Sequence, residues 1–168
     1  MRERGLVCKC LRCREAGHRP KLPADTKPTL FVETYENAGG QEYFLSIEDP
    51  GRTTVMAFLR LRLPDHQSHF EDAKTQKMLD EVRRAFPELD DSAYVRELHT
   101  YGQALDLDQL KVDAQQHRGL GRQLMAEAEK IAREQGYRSM NVISGIGVRE
   151  YYRDLGYRLA GTYMRKSL

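Results

Sequence analysis

The feature that most constrains this chain is the pair Gly119 and Gly121 within Gln116-His117-Arg118-Gly119-Leu120-Gly121-Arg122-Gln123-Leu124. Two glycines separated by one residue strip a loop of side chains. Consecutive backbone N–H groups can then converge on an anion, while a helix starting there adds the positive end of its dipole. That helix shows in the apolar spacing. Over residues 119–135 the positions Leu120, Leu124, Ala128, Ile131 and Ala132 form one apolar stripe, Arg122, Glu129, Lys130 and Arg133 lie elsewhere, and Gly136 supplies the stop. Such a cradle suits an anionic group such as a phosphate, with the amides of residues 117–122 and the Arg118 and Arg122 side chains as the expected donors.

Around this segment the pattern alternates strand and helix. Residues 30–36 and 42–48 are β-rich runs separated by the turn-forming Asn37-Ala38-Gly39-Gly40-Gln41, and residues 53–63 form a third strand in which Leu59, Leu61 and Leu63 alternate with Arg60 and Arg62. A loosely helical run, 69–86, stops at Pro87. A strand over 92–101, a polar crossover over 102–115, the glycine segment with its helix, a strand over 138–144, a short helix over 147–155 and a last strand over 157–166 complete the chain. The order gives an α/β fold whose mixed, mostly antiparallel sheet holds one strand–helix–strand unit at its centre.

Length and charge set further bounds. A chain of 168 residues buries one core without disulfides, and a net charge of +2 says little about partners. The arm, residues 1–28, is more telling: eight basic side chains there face Glu3, Glu15 and Asp25, an excess that suits a polyanion or an anionic neighbour. With no long apolar run the chain reads as cytoplasmic and free of membrane. All three cysteines lie in Cys8-x-Cys10-x-x-Cys13, which in a reducing compartment reads as metal thiolates for zinc or an iron–sulfur centre. The spacing leaves the fourth ligand open among His18, His66, His69, His99 and His117.

Gln116-x-x-Gly119-x-Gly121 resembles the pyrophosphate loop of the GNAT acetyltransferases, and Tyr151-Tyr152-Arg153-Asp154-Leu155-Gly156-Tyr157 resembles the aromatic helix that comes after it in that superfamily. Val95-Arg96-Glu97-Leu98-His99-Thr100-Tyr101-Gly102, Val142-Ile143-Ser144-Gly145-Ile146-Gly147-Val148-Arg149 and the cysteine segment narrow the likeness to the C-terminal acetyltransferase domain of the Elongator catalytic subunit, in its archaeal and bacterial form. The resemblance implies a GNAT fold over 29–168 with helices flanking a twisted sheet, and a zinc-holding connector over 1–28. It implies acetyl-CoA as cosubstrate and tRNA as partner. A radical-SAM domain that works beside this one in the family has no counterpart in the chain, and surface left open by it would favour a homodimer.

The same resemblance assigns roles. Amides near Leu98 and His99 pair the pantetheine arm and polarise the thioester carbonyl. Tyr152 protonates the departing thiolate, and Tyr151 takes the usual apolar neighbour position. Period-two alternation puts Glu97, His99 and Tyr101 on one face, where Glu97 or His99 acts as a base; equally, Glu97 pairs with Arg96 or Arg60 as scaffold. Gly145 stands where many GNAT enzymes place an asparagine, which suits acetyl-CoA hydrolysis or acetyl delivery to tRNA better than acetylation of free amines. A protein lysine acetyltransferase and a catalytically silent module that binds coenzyme A or tRNA are the alternatives.

Overall fold

Among the described residues, three consecutive strands lead into a mixed run of helices and strands, seven strands and four α-helices in all. The structure, a computed structural model, describes all residues except 1–6, 21, 24, 38, 66–71, 90 and 102–109, and describes 110–118 in backbone only. The strands are β1 (Thr29–Asn37), β2 (Gly40–Glu48), β3 (Val55–Pro64), β4 (Ser92–Thr100), β5 (Ser139–Val142), β6 (Arg158–Ala160) and β7 (Tyr163–Ser167). They form one sheet in the order β1-β2-β3-β4-β5-β7-β6. β4 and β5 run parallel, joined through α3 (Leu110–Glu134), while β7 is antiparallel to β5 and to β6. The remaining helices are α1 (Leu11–Arg14), α2 (Ala73–Ala85) and α4 (Arg149–Arg153). No described helix is long and apolar enough to cross a membrane.

The chain groups into two compact units, one of Met1–Glu33, Phe44–Leu59 and Leu98–Met125, the other of Thr34–Tyr43, Arg60–Glu97 and Ala126–Leu168. In the first, Leu45, Ile47, Val55, Ala57, Leu59 and Leu124 are fully buried. Asp49 closes the turn between β2 and β3 by accepting from the N–H groups of Gly51 (3.0 Å), Thr53 (2.8 Å) and Thr54 (2.6 Å). Burial pushes its carboxyl up, but these donors outweigh that and hold it below the usual range. The arm, which lacks any sustained period in sequence, nevertheless folds: α1 and a 3-10 turn (Ala16–His18) precede the β1 edge, and Glu15 makes a parallel bridge to Val55.

In the second unit the alternation expected of β3 holds, with Leu61 and Leu63 buried and Arg60 and Arg62 half-buried. The β1–β2 turn needs glycine for a steric reason. Gly40 has φ 148°, and a Cβ there would lie 2.2 Å from the Leu63 carbonyl oxygen. α2 begins at Ala73 because Asp72 caps it, accepting from the N–H groups of Lys74 and Thr75. His69 and Phe70, expected in its first turn, lie outside the described residues.

Three expectations about elements need correction. The helix after the glycine segment starts at Leu110, nine residues before Gly119, so the glycines lie inside α3 and residues 110–115 are not crossover. The single last strand is a hairpin, β6 and β7, broken at Gly161 with φ 57°. Glu129, placed outside the apolar stripe of the helix, is nevertheless only 7% exposed: it accepts from Tyr157 Oη (2.9 Å) and Lys166 Nζ (2.8 Å).

Candidate active site

β4 and α3 carry most of the residues singled out in sequence. β4 pairs with β5 from Ser92–Ser139 to Val95–Val142, and the Ile143 N–H donates to the Val95 carbonyl (3.2 Å). β5 ends there, whereas β4 runs on to Thr100. The backbone at Leu98 and His99 therefore extends beyond the last parallel pair, the condition for an extended ligand arm to pair with β4 in place of a strand.

Two clusters fix β4 on either side of Leu98. Before it, Glu42 of β2 is buried and gathers Arg96, Arg60 (3.3 Å), Arg62 (4.0 Å) and the Tyr35 hydroxyl (3.3 Å). Burial pushes the Glu42 carboxyl up, yet Arg96 and Arg60 prevail and hold it below the ordinary value. Arg60 also donates to Glu97 (3.3 Å), so the carboxylate considered as a base has the scaffold partner that the alternation offered as its other role. After Leu98 the His99 ring stacks on Phe58 at 5.0 Å, with Tyr101 next in line at 6.4 Å from His99. His99 stands exposed on this aromatic ledge.

The glycine segment is helical throughout. In a helix that begins at Leu110, each N–H from its fifth residue onward donates to the carbonyl four residues earlier, so the amides of 117–122 are occupied rather than free for an anion. Gly119 is exposed, and a Cβ there would meet nothing within 4 Å. Packing gives no reason for glycine at a helical position where it costs about 1 kcal/mol relative to alanine. Gly121 is buried, Leu120 half-buried and Arg122 exposed; the side chains of Gln116, His117 and Arg118 lie outside the described set.

On α4 the two tyrosines differ in burial. Tyr152 is 5% exposed and packs edge-on against Tyr151 (5.2 Å) and Tyr157 (6.1 Å), whereas Tyr151 is only half-buried. Burial, with a smaller contribution from Tyr151, pushes the Tyr152 phenol up to about 12. Beside α4, a Cβ on Gly145 would also meet nothing within 4 Å, so no clash excludes an asparagine there.

The sequence and the fold match known proteins. The sequence pattern of the acetyltransferase (GNAT) family fits residues 112–157. The tRNA uridine(34) acetyltransferase of Methanocaldococcus infernus is 44% identical over 175 residues, covering 100% of this chain and 30% of that protein. Elongator complex protein 3 of Schizosaccharomyces pombe is 37% identical over 173 residues, covering 100% and 29%. A solved structure, the archaeal Methanocaldococcus infernus Elp3 with an N-terminal deletion, superposes with a TM-score of 0.75 at 42% identity, covering 100% of this chain and 37% of that one. This chain belongs to the Elongator branch of the GNAT acetyltransferases. It corresponds to the C-terminal GNAT part and spans about 30% of the length of those curated relatives.

This GNAT domain also brings its three cysteines together. The Cys8, Cys10 and Cys13 sulfurs lie within 4.8 Å of one another, a donor set that suits a soft or borderline cation such as zinc. The Cys10 thiol is pushed down, first by the Cys13 backbone N–H and then by the neighbouring thiols, while the hydrogen bonds it and Cys8 make push Cys13 up to about 11. Neither His18 nor His99 joins this set, and His18 sits 3.9 Å from Glu15; His66, His69 and the His117 side chain lie outside the described residues.

The charged clusters at Glu42 and at Glu48, which accepts from Arg14 (2.5 Å) and lies 3.5 Å from Arg52 Nε, escaped sequence reading. Their signal was present: Glu42, Phe44, Ser46 and Glu48 share parity on β2, as Arg60 and Arg62 do on β3, and buried carboxylates on a sheet face need cations of matching parity.

Proposed function

We propose that this chain handles acetyl-CoA for a tRNA-modifying acetyltransferase of the Elongator type, acting on the wobble uridine together with a radical-SAM partner domain. The observation that carries the reading is Gly119: a helical glycine with open space around it, in the position the GNAT pattern gives to the diphosphate loop. On this reading α3 unwinds at its N-terminal turns as coenzyme A binds, and the amides of 117–122, with Arg118 and Arg122, transfer from helix carbonyls to the diphosphate. Gln116 and Leu120 flank the contact, and the pantetheine lies along the Leu98 and His99 backbone.

The chemistry is set by the residues present. His99, with Glu97 and Arg60 as scaffold, takes a proton from water as it attacks the thioester carbonyl; the C–O bond forms, the C–S bond breaks, the thiolate takes a proton from Tyr152, and the proton on His99 returns to the phenolate through solvent. A phenol held near 12 stays protonated throughout the working range and so keeps the proton it would donate. Delivery to a tRNA-bound acceptor replaces water by that acceptor. Cys8, Cys10 and Cys13 hold zinc in the connector over 1–28, where the metal ties the arm together and takes no part in acyl transfer.

Acetyl-CoA hydrolysis measured with and without tRNA, alongside acetylation of a histone-tail peptide, tests this function. Stimulation by tRNA with an inert peptide is expected. Rapid peptide acetylation indifferent to tRNA contradicts it. Tyr152→Phe should lower turnover while leaving acetyl-CoA binding intact.

A further inference from the structure

The first unit holds a cleft of about 650 Å³ between the arm, the β1 residue Glu33 and the β2–β3 turn, lined by none of the residues assigned to acetyl-CoA. Lys9, Arg14, Arg19 and Arg52 line it, with Glu33 as the carboxylate on its wall. Arg14 and Arg52 are held in place from behind. The buried Glu48 accepts from Arg14 (2.5 Å) and from Ser46 Oγ (2.7 Å) and lies 3.5 Å from Arg52 Nε, while Arg52 also pairs with Glu33 (2.5 Å) and lies over the Phe31 ring at 4.6 Å. Asp49 is spent on the turn amides. Among the described residues no carboxylate pairs with Lys9 or Arg19, and the Arg19 Nε is buried without a hydrogen-bond partner.

The turn adds an independent sign. Arg52 has φ 55°, the left-handed region that disfavours a residue with a Cβ, although Gly51 stands next to it. The backbone keeps a guanidinium at a strained position where glycine is the comfortable choice, and such strain gathers at binding sites.

We infer that this cleft binds a phosphate of the tRNA backbone, with Arg19 and Lys9 supplying the free charge and Arg14 and Arg52 forming a preset wall. Guanidinium groups match phosphate oxygens with paired N–H donors, and the cleft is large enough for a nucleotide and its phosphate. The site rests on the proposed tRNA function but not on the acyl-transfer chemistry.

The test uses the full zinc-loaded chain and the variants Lys9→Gln/Arg19→Gln and Arg52→Gly, with tRNA binding monitored by fluorescence anisotropy across a salt series. The double variant should bind tRNA about tenfold more weakly, whatever the tRNA sequence, and its plot of log affinity against log salt should be shallower by about 1 to 2. Acetyl-CoA binding by calorimetry should not change. Arg52→Gly relieves the left-handed residue and keeps Arg14 on Glu48, so it should remain folded by circular dichroism while losing tRNA affinity. Variants that match the parent in affinity and slope overturn the site alone. Loss of binding to inorganic phosphate or to polyglutamate, with tRNA binding untouched, overturns it in favour of a small-anion or acidic-peptide site. A parent chain that binds no tRNA overturns both the site and the tRNA function.

Discussion

The two halves of α3 are built on different principles. From Leu124 onward the helix is locked: Leu124, Met125, Ala128 and Ala132 are at most 1% exposed, and Glu129 ties it to Tyr157 and Lys166. Tyr157 in turn packs on Tyr152, so the buried half of the helix supports the candidate acid. At Gly119 itself neither packing nor propensity favours the helix, since the residue is exposed and a Cβ there would meet nothing within 4 Å. On the proposed reading, a single helix combines a scaffold with a segment whose hydrogen bonds exchange for a ligand.

Leu124→Ala should show the largest effect, a loss of about 2–5 kcal/mol in urea unfolding from the transfer term and the cavity left behind. A loss as small as that of an exposed leucine would erase the difference between the halves. Glu129→Ala should cost about 1–3 kcal/mol, because Tyr157 Oη loses its carboxylate acceptor and Lys166 its counter-charge in a buried setting; an unchanged midpoint would mean that solvent takes over both contacts.

The alkaline limb probes Tyr152 next. Its folded pKa, near 12, stands above the ordinary value near 10, so the unfolded chain releases the proton first as pH rises. The contribution is full below pH 10 and fades as pH climbs toward 12, by about 1.4 kcal/mol per unit. Tyr157, pushed up by burial and then by Glu129, adds to the same limb, so the parent is compared with Tyr152→Phe, whose loss of stability above pH 10 should be smaller. Identical limbs would place Tyr152 in solvent. The smallest effect carries the opposite sign: Gly119→Ala should stabilise the chain by about 1 kcal/mol, since the new methyl meets nothing, while weakening acetyl-CoA binding about fivefold. A variant that gains stability without losing affinity would disconnect helix opening from binding.

The apolar periods made most of the fold legible. The Leu59, Leu61 and Leu63 alternation and the Leu124 to Ala132 stripe each survive as the buried side of their element. What escaped was non-local. Glu129 lies outside the apolar stripe, where nothing marks it as buried until β7 brings Lys166 to it, and the Glu42 network joins β1, β2, β3 and β4 across the sheet. The helix start was misplaced because glycine marks an ending or a loop by propensity, whereas here the flanking residues carry the helix through it. In the site, spacing was enough to join the three cysteines, and the Arg60–Glu97 pair was among the partners weighed. The burial of Tyr152 over Tyr151 was not legible, since it depends on Tyr157 packing from beyond α4.

The exchange of helix carbonyls for a diphosphate at Gly119 and Gly121 is tested most directly by amide NMR of the labelled chain titrated with acetyl-CoA. The Gly119 and Gly121 N–H resonances should shift downfield together with saturable binding, while amides before them in α3 lose protection from exchange. Binding that leaves both glycine amides and the α3 protection pattern unmoved, or no binding by folded protein, would contradict it.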